Sequence, residues 1–245
     1  MPLLFRMVQV LDWQRPEEEG REVKPDQEQF SAEGFVLAGG RSTRMGQDKA
    51  LLSPAGRSLL DLALDKLRAL PLAGAPRIAA ARSDLSAHAA VIGDLHPGCG
   101  PLSGIEAALA ASARPLNVFL PVDIPLLPPH FLLWMLERAA ITGALVTVPR
   151  FNGRPQPLCA VYHRDLLGDI TASLRAGDHK VMVAVTAAAH AQSPAHNIDI
   201  FDVELVASTH AQMTAFSPLP LYRWFHNCNT PEDMAGIGNA LVLTQ

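Results

Sequence analysis

Short apolar runs alternate with helical patterns along most of the chain. An unbroken apolar run around Phe35-Val36-Leu37 predicts a buried strand over residues 34–38. Leu60, Leu64 and Leu67 then recur at helical spacing, with Leu59, Ala63 and Leu70 beside them. Ser58 with Asp61 three residues on reads as a capping box, so a helix is expected to start there. Residues 76–81 predict a second strand, built on alanine, a weak strand former. Ser83 can cap a short helix reaching Ala89, and Val91-Ile92 reads as a third strand ending at Asp94. A helix over 102–113 and a strongly apolar strand over 117–122 follow, with Asp123 at the carboxyl end of that strand. Beyond it come a helix over 131–140 opened by Pro128-Pro129, strands over 144–149 and 157–162, and a helix over 164–176 with Gly177 past its end. Residues 186–222 are rich in Ala, His, Ser and Pro and show no sustained period. Thr230-Pro231-Glu232-Asp233 marks the start of a last helix: a capping threonine, proline at the first helical position and two acids in the first turn.

Strand alternating with helix predicts an α/β fold of three layers, a mostly parallel sheet with helices on both faces and right-handed crossovers. In such a fold ligands gather at the carboxyl ends of the strands. Residues 14–29 are almost wholly polar or charged, with Pro16, Gly20 and Pro25, and cannot bury enough surface to order themselves. Residues 1–33 are therefore expected to be a disordered or loosely attached extension, and residues 34–245 the folded domain, with 186–222 a possible insertion in it. Arg6 interrupts the apolar residues at the start and no small-residue cleavage site follows, so no signal peptide is expected.

Composition narrows the function. At 245 residues, 49% hydrophobic and 18% charged, the chain has the make-up of an ordinary globular protein with a sizeable core. A formal net charge of −4 argues against a broad nucleic-acid footprint. The three cysteines, Cys99, Cys159 and Cys228, are far apart and form no zinc or C-x-x-C spacing, which predicts reduced thiols and a cytoplasmic setting. No apolar run approaches the length of a membrane span, so no membrane partner is expected.

The chemistry concentrates where the first strand ends. Gly39 and Gly40 lack Cβ atoms, so an anion can approach their backbone amides closely. Arg44 and Lys49 add the positive charge that a polyphosphate needs. Neither a Walker A loop nor G-x-G-x-x-G is present. The pattern L-A-G-G-x-S-x-R-M-G-x-D-K-A-L-L over residues 37–52 closely resembles the signature of the molybdenum cofactor guanylyltransferase family, nucleotidyltransferases with a Rossmann-like fold. Further segments carry the same resemblance. Gly100-Pro101-Leu102-Ser103-Gly104 is similar to the family's G-P-L-x-G, and Gly153-Arg154-Pro155-Gln156-Pro157-Leu158 to its G-x-x-x-P-L stretch. Asn227-Cys228-Asn229-Thr230-Pro231-Glu232 is similar to its N-x-N-T-P-E end. Two departures stand out. Lys180 stands where the family tends to have arginine, and Ala80 or Ala81 stands where it commonly has a polar residue ending the second strand.

The resemblance implies Mg²⁺-dependent transfer of GMP from GTP to molybdopterin or molybdenum-molybdopterin, with release of pyrophosphate. It implies that Leu37, Ala38, Gly39, Gly40, Lys49, Asp94, Gly100, Gly104 and Asp123 hold the nucleotide, and that Asp123 also holds the metal. Lys49, Arg44 and Asp123 would be the catalytic groups, and Arg154, Lys180, Asn227 and Asn229 would face the second substrate. Molybdenum cofactor biosynthesis proteins or apo-molybdoenzymes would be its partners. From the residues alone, Asp123 and Asp94 can also be read as turn caps, and nothing selects guanine over cytosine or adenine. A cytidylyl- or sugar-phosphate nucleotidyltransferase, or a catalytically silent nucleotide-binding module, therefore stays open.

Overall fold

The computed structural model describes residues 31–39, 48–192, 198–210 and 217–242. Gly40, Arg44 and residues 1–30 lie outside the described residues, as do 193–197 and 211–216 within the stretch lacking a period.

The strands among the described residues are β1 (Ala32–Leu37), β2 (Arg77–Ala79), β3 (Val91–Ile92), β4 (Leu116–Pro121), β5 (Val146–Phe151), β6 (Arg154–Pro155), β7 (Ala160–His163) and β8 (Ile198–Asp202). The helices are α1 (Leu59–Arg68), α2 (Pro101–Ala111), α3 (Pro129–Thr142), α4 (Leu167–Arg175), α5 (Val181–Gln192), α6 (Val203–Thr209) and α7 (Pro231–Val242). One sheet runs in the order β3-β2-β1-β4-β7-β5-β6, with β8 also paired to β5. The ladders β1–β2, β1–β4, β2–β3 and β5–β8 are parallel. β7 runs antiparallel to both β4 and β5, and β6 folds back on β5. The expected α/β fold of three layers is thus present with a mixed sheet, reversed at β7 and at the β6 hairpin.

Two apolar layers flank the sheet. On one face α1, α3, α6 and α7 pack with side chains such as Leu60, Leu64, Phe131, Val203 and Ile237. On the other, α2, α4 and α5 pack with Leu102, Ile105, Ile170 and Val185. The helix starts follow local chemistry. Ser58 accepts a hydrogen bond from the Asp61 amide at 3.0 Å, the expected capping box on α1. Gly143 past α3 sits at φ +64°, the left-handed conformation that glycine adopts at a helix end.

The differences from expectation have physical causes. β1 starts two residues early because Ala32 is fully buried and pairs with Leu116, and because Glu33 is held by an ion pair to Arg77. Between Ser83 and Ala89 there is only a single 3-10 turn, Asp84–Ala87, since Ser83 makes no capping hydrogen bond. In the stretch without a period, β8 adds a parallel strand to the sheet. It is tied to α3 by the Arg138–Asp199 fork at 2.6 and 2.9 Å and to β5 by Arg150–Asp202 at 2.5 and 2.7 Å. Its Phe201 joins an aromatic cluster with Phe131 and Trp134. No helix among the described residues is long and apolar enough to cross a membrane.

Candidate functional site

The parallel ladders bring the carboxyl ends of β1 to β4 to one edge, and β5, aligned with β4 through the reversed β7, ends at the same edge. At β1, the Ala38 amide donates to the Ala79 carbonyl at 3.2 Å and the Leu37 carbonyl accepts from the Val122 amide at 3.3 Å. The backbone leaving β1 is therefore clamped from both sides up to Gly39. Leu37 and Ala38 are buried, while Gly39 is exposed with open space where a Cβ would stand. That is room for a ligand to approach the backbone.

The chain re-enters the described structure at Asp48. The Asp48 carboxylate accepts from the Ala50 amide at 3.1 Å and caps a single 3-10 turn, Lys49–Leu51. This turn sends the Lys49 side chain across the sheet edge. Its ammonium donates to Asp123 Oδ2 at 3.2 Å and to Asn229 Oδ1 at 2.6 Å. Lys49 and Asp123, 74 positions apart, and Asn229, 180 positions from Lys49, therefore meet at one point.

Asn229 is delivered by the C-terminal arm. Trp224 and Phe225 anchor the arm edge-on against Phe131, and Phe225 stacks on Phe151 with centroids 5.0 Å apart. The Cys228 amide then donates to the Asp123 carbonyl at 2.8 Å. Asp233 accepts from the Asn229 and Thr230 amides, both at 2.9 Å, and Thr230 Oγ1 accepts from the Asp233 amide at 3.1 Å. Those two backbone amides, with His226 adding a further contact, hold the Asp233 carboxyl below its ordinary value. Downstream in α7, Gly238 touches bare backbone: a Cβ there would fall 2.3 Å from the Pro54 carbonyl oxygen. The segment just after the lysine turn and the helix that carries Asn229 thus meet with no side chain between them.

Asp94 stands beyond β3, and burial pushes its carboxyl above the ordinary range. Gly100 caps α2 at φ +72°, where any other residue is strained, and so has a conformational role. A Cβ at Gly104 would stand in ordinary van der Waals contact with Leu37, Ala79 and Asp94, so this position faces the sheet without demanding glycine. Behind this loop, Glu106 is buried at 1% exposure and is held by His96 Nδ1 and Thr171 Oγ1, each at 2.7 Å. Past β2, a cavity of about 420 Å³ is lined by Ala80, Ala81, Arg82, Ser83, Ser86, Val91 and Gly93.

The other expected site residues are less closely gathered. Arg154 is exposed on the short β5–β6 hairpin, whose Asn152 and Gly153 have φ +48° and +70°, at the sheet's carboxyl edge. Lys180 is exposed at the turn into α5, its amide donating to Asp178 Oδ1 at 3.2 Å. The opposite end of α5 lies beside the start of α4, where Gln192 donates to the Asp165 carbonyl at 2.6 Å, so the turn projects toward the site edge. Asn227 is exposed two residues before Asn229. Neither Arg154 nor Lys180 makes a hydrogen bond to Lys49, Asp123 or Asn229 among the described residues. Sequence reasoning gave Asn229 to the second substrate; the structure puts its amide oxygen against Lys49.

Among the described residues no group of three or more His, Cys, Asp or Glu side chains is placed to hold a metal. The half-exposed carboxylate of Asp123 offers a single anionic ligand. Such a donor fits a magnesium ion that takes its other ligands from substrate phosphates and water. It does not fit an ion caged by protein alone. Cys159 is fully buried nearby, and its thiol is pushed up, first by burial and then by the Asp123 carboxylate.

A domain family described as the MobA-like NTP transferase domain matches residues 34–193. A protein of Pelotomaculum thermopropionicum named probable molybdenum cofactor guanylyltransferase is 36% identical over 153 residues, covering 62% of this chain and 74% of its own. A molybdenum cofactor guanylyltransferase of Xanthomonas euvesicatoria pv. vesicatoria is 33% identical over 205 residues, covering 81% of this chain and 90% of its own. In three dimensions, the crystal structure of molybdopterin-guanine dinucleotide biosynthesis protein A from Archaeoglobus fulgidus superposes with a TM-score of 0.66 at 22% identity, over 87% of this chain and 100% of that one.

Proposed function

The chain belongs to the MobA-like NTP transferase family, and from that premise we propose that it transfers GMP from GTP to molybdopterin carrying molybdenum. The observation that carries the site assignment is the meeting of Lys49, Asp123 and Asn229 beside the open backbone of Gly39. A triphosphate laid along that edge would meet the exposed backbone of Gly39 and one ammonium, elements from which a phosphate cradle is built.

In this reading a phosphate oxygen of the acceptor attacks the α-phosphorus of GTP. The bond from that phosphorus to the bridging oxygen breaks, and pyrophosphate leaves with the electron pair. The acceptor is already anionic, so no dedicated general base is required. The protein's work is in-line positioning and cancellation of charge. Lys49 would neutralise the leaving pyrophosphate, joined by Arg44, and Gly39 with Gly40 would hold its oxygens. Asp123 would hold Mg²⁺, which when bound polarises the α-phosphate. Asn229 would keep an acceptor on the Lys49 ammonium where the Asp123 carboxylate serves the metal. The nucleoside would lie toward the cavity past β2, where Asp94 directly follows the lining residue Gly93. Arg154, Lys180 and Asn227 would meet the pterin phosphate.

The test is pyrophosphate release from GTP, CTP and UTP with purified molybdopterin, with and without Mg²⁺. Release from GTP alone, dependent on the metal, is expected. Release from CTP with a sugar-phosphate or alcohol acceptor, and none from GTP, would overturn the assignment. So would tight GTP binding with no turnover under any of these conditions.

A further inference from the structure

Lys49 has a flexible side chain, and its aim depends on the turn at its base. That turn is capped by Asp48 Oδ1 on the Ala50 amide at 3.1 Å. The other carboxylate oxygen of Asp48 is engaged by Arg82, which follows β2 and lines the 420 Å³ cavity. Arg82 in turn grips Asp84 with a fork, Nε to Oδ1 at 2.8 Å and a terminal nitrogen to Oδ2. The Asp84 carboxylate thus fixes the plane of the guanidinium, and the remaining terminal nitrogen stands in ion-pair contact with Asp48. This needs several donors in one rigid plane, which an ammonium cannot supply. The two carboxylates hold the guanidinium firmly charged, above its already high ordinary value.

We infer that Arg82 is a positioning residue for Lys49, acting through Asp48. It ties the wall of the cavity to the turn that aims the ammonium, so the nucleoside end and the phosphate end of the site are set by one guanidinium. The inference rests on the reading that a nucleoside triphosphate lies between that cavity and Lys49.

Two variants separate the pair from the cap. Asp48→Asn keeps an oxygen for the Ala50 amide and removes the charge that Arg82 binds. Arg82→Lys keeps the charge and removes the fork. The first readout is hydrogen exchange at the Ala50 amide in the ligand-free protein, which needs no assumption about substrate. Arg82→Lys should speed that exchange about tenfold, and exchange at the wild-type rate overturns the inference. The second is GTP affinity by calorimetry, read as a double-mutant cycle. Each single variant should raise Kd about tenfold and the double variant no further. A hundredfold loss in the double variant would mean that Arg82 acts on the nucleotide independently of Asp48, and overturns it. Failure of the wild-type protein to bind GTP, CTP or UTP would sink the functional reading, while the exchange result would still decide whether Arg82 sets the lysine turn.

Discussion

Gly238 gives the sharpest test of how the C-terminal helix shapes the site. A methyl group added there would lie 2.3 Å from the Pro54 carbonyl oxygen and 3.3 Å from its carbon. A carbon–oxygen contact settles near about 3.3 Å, so α7 and the Pro54 segment must separate by about 1 Å. Neither contacting atom can swing aside, because both belong to backbone. Overpacking of this kind costs about 1–3 kcal/mol, which for a chain of this size lowers the melting temperature by roughly 2–12 °C. Asn229 precedes α7 and holds Lys49 at 2.6 Å, so a shift of the helix loosens that contact. Misplacement by about 1 Å near reacting groups costs on the order of a hundredfold in rate. The control lies one turn-half away. Gly236 is in the same helix, and a Cβ there would meet nothing within 4 Å. Gly236→Ala should stabilise by about 0.5–1 kcal/mol through helix propensity alone. Thermal melting of both variants, with GTP turnover, therefore has opposite expected signs. A Gly238→Ala protein that melts at or above wild type and turns over normally would refute the close packing and the link from α7 to Lys49.

Two further outcomes are expected. Asp123→Ala should lower turnover about a hundredfold, equivalent to ~3 kcal/mol of transition-state stabilisation; near-normal kcat would remove Asp123 from the mechanism. For Asp233, the amides of Asn229 and Thr230 depress the folded-state value below the ordinary 3.8. Its stabilising contribution is therefore full above about pH 4 and is lost as pH falls through the lower folded value. The melting difference between wild type and Asp233→Asn should close as pH falls below the ordinary value; a difference that widens below it would contradict this.

Much of the site was readable because its residues sit where local rules place them. Asp123 closes an apolar strand, Ser58 and Asp61 form a capping box, and Gly39 leaves exposed backbone at the end of β1. Other parts have no local signature. Asn229 reads as part of a helix start, and its bond to Lys49 depends on an aromatic anchor made by Trp224, Phe225, Phe131 and Phe151 from distant segments. Gly238 resembles any helical glycine until Pro54 is placed against it. Arg82 looks like a surface cation, and only the fold sets Asp48 beside it. β8 reads Ile-Asp-Ile-Phe-Asp, without a clean alternation, and its pairing to β5 is non-local.

The reversed run of β7 divides the sheet into two blocks that share a single ladder, Leu116 to Phe119 against His163 to Ala160. On the proposed reading, the block of β1 to β4 would serve the donor nucleotide and the β5, β6 and β8 block the acceptor. Lengthening the β5–β6 hairpin or recutting the chain after β8 leaves every register of the first block intact. The scaffold can therefore be refitted to a new acceptor without disturbing the groups that activate the donor, provided that the returning C-terminal arm still stitches the blocks together.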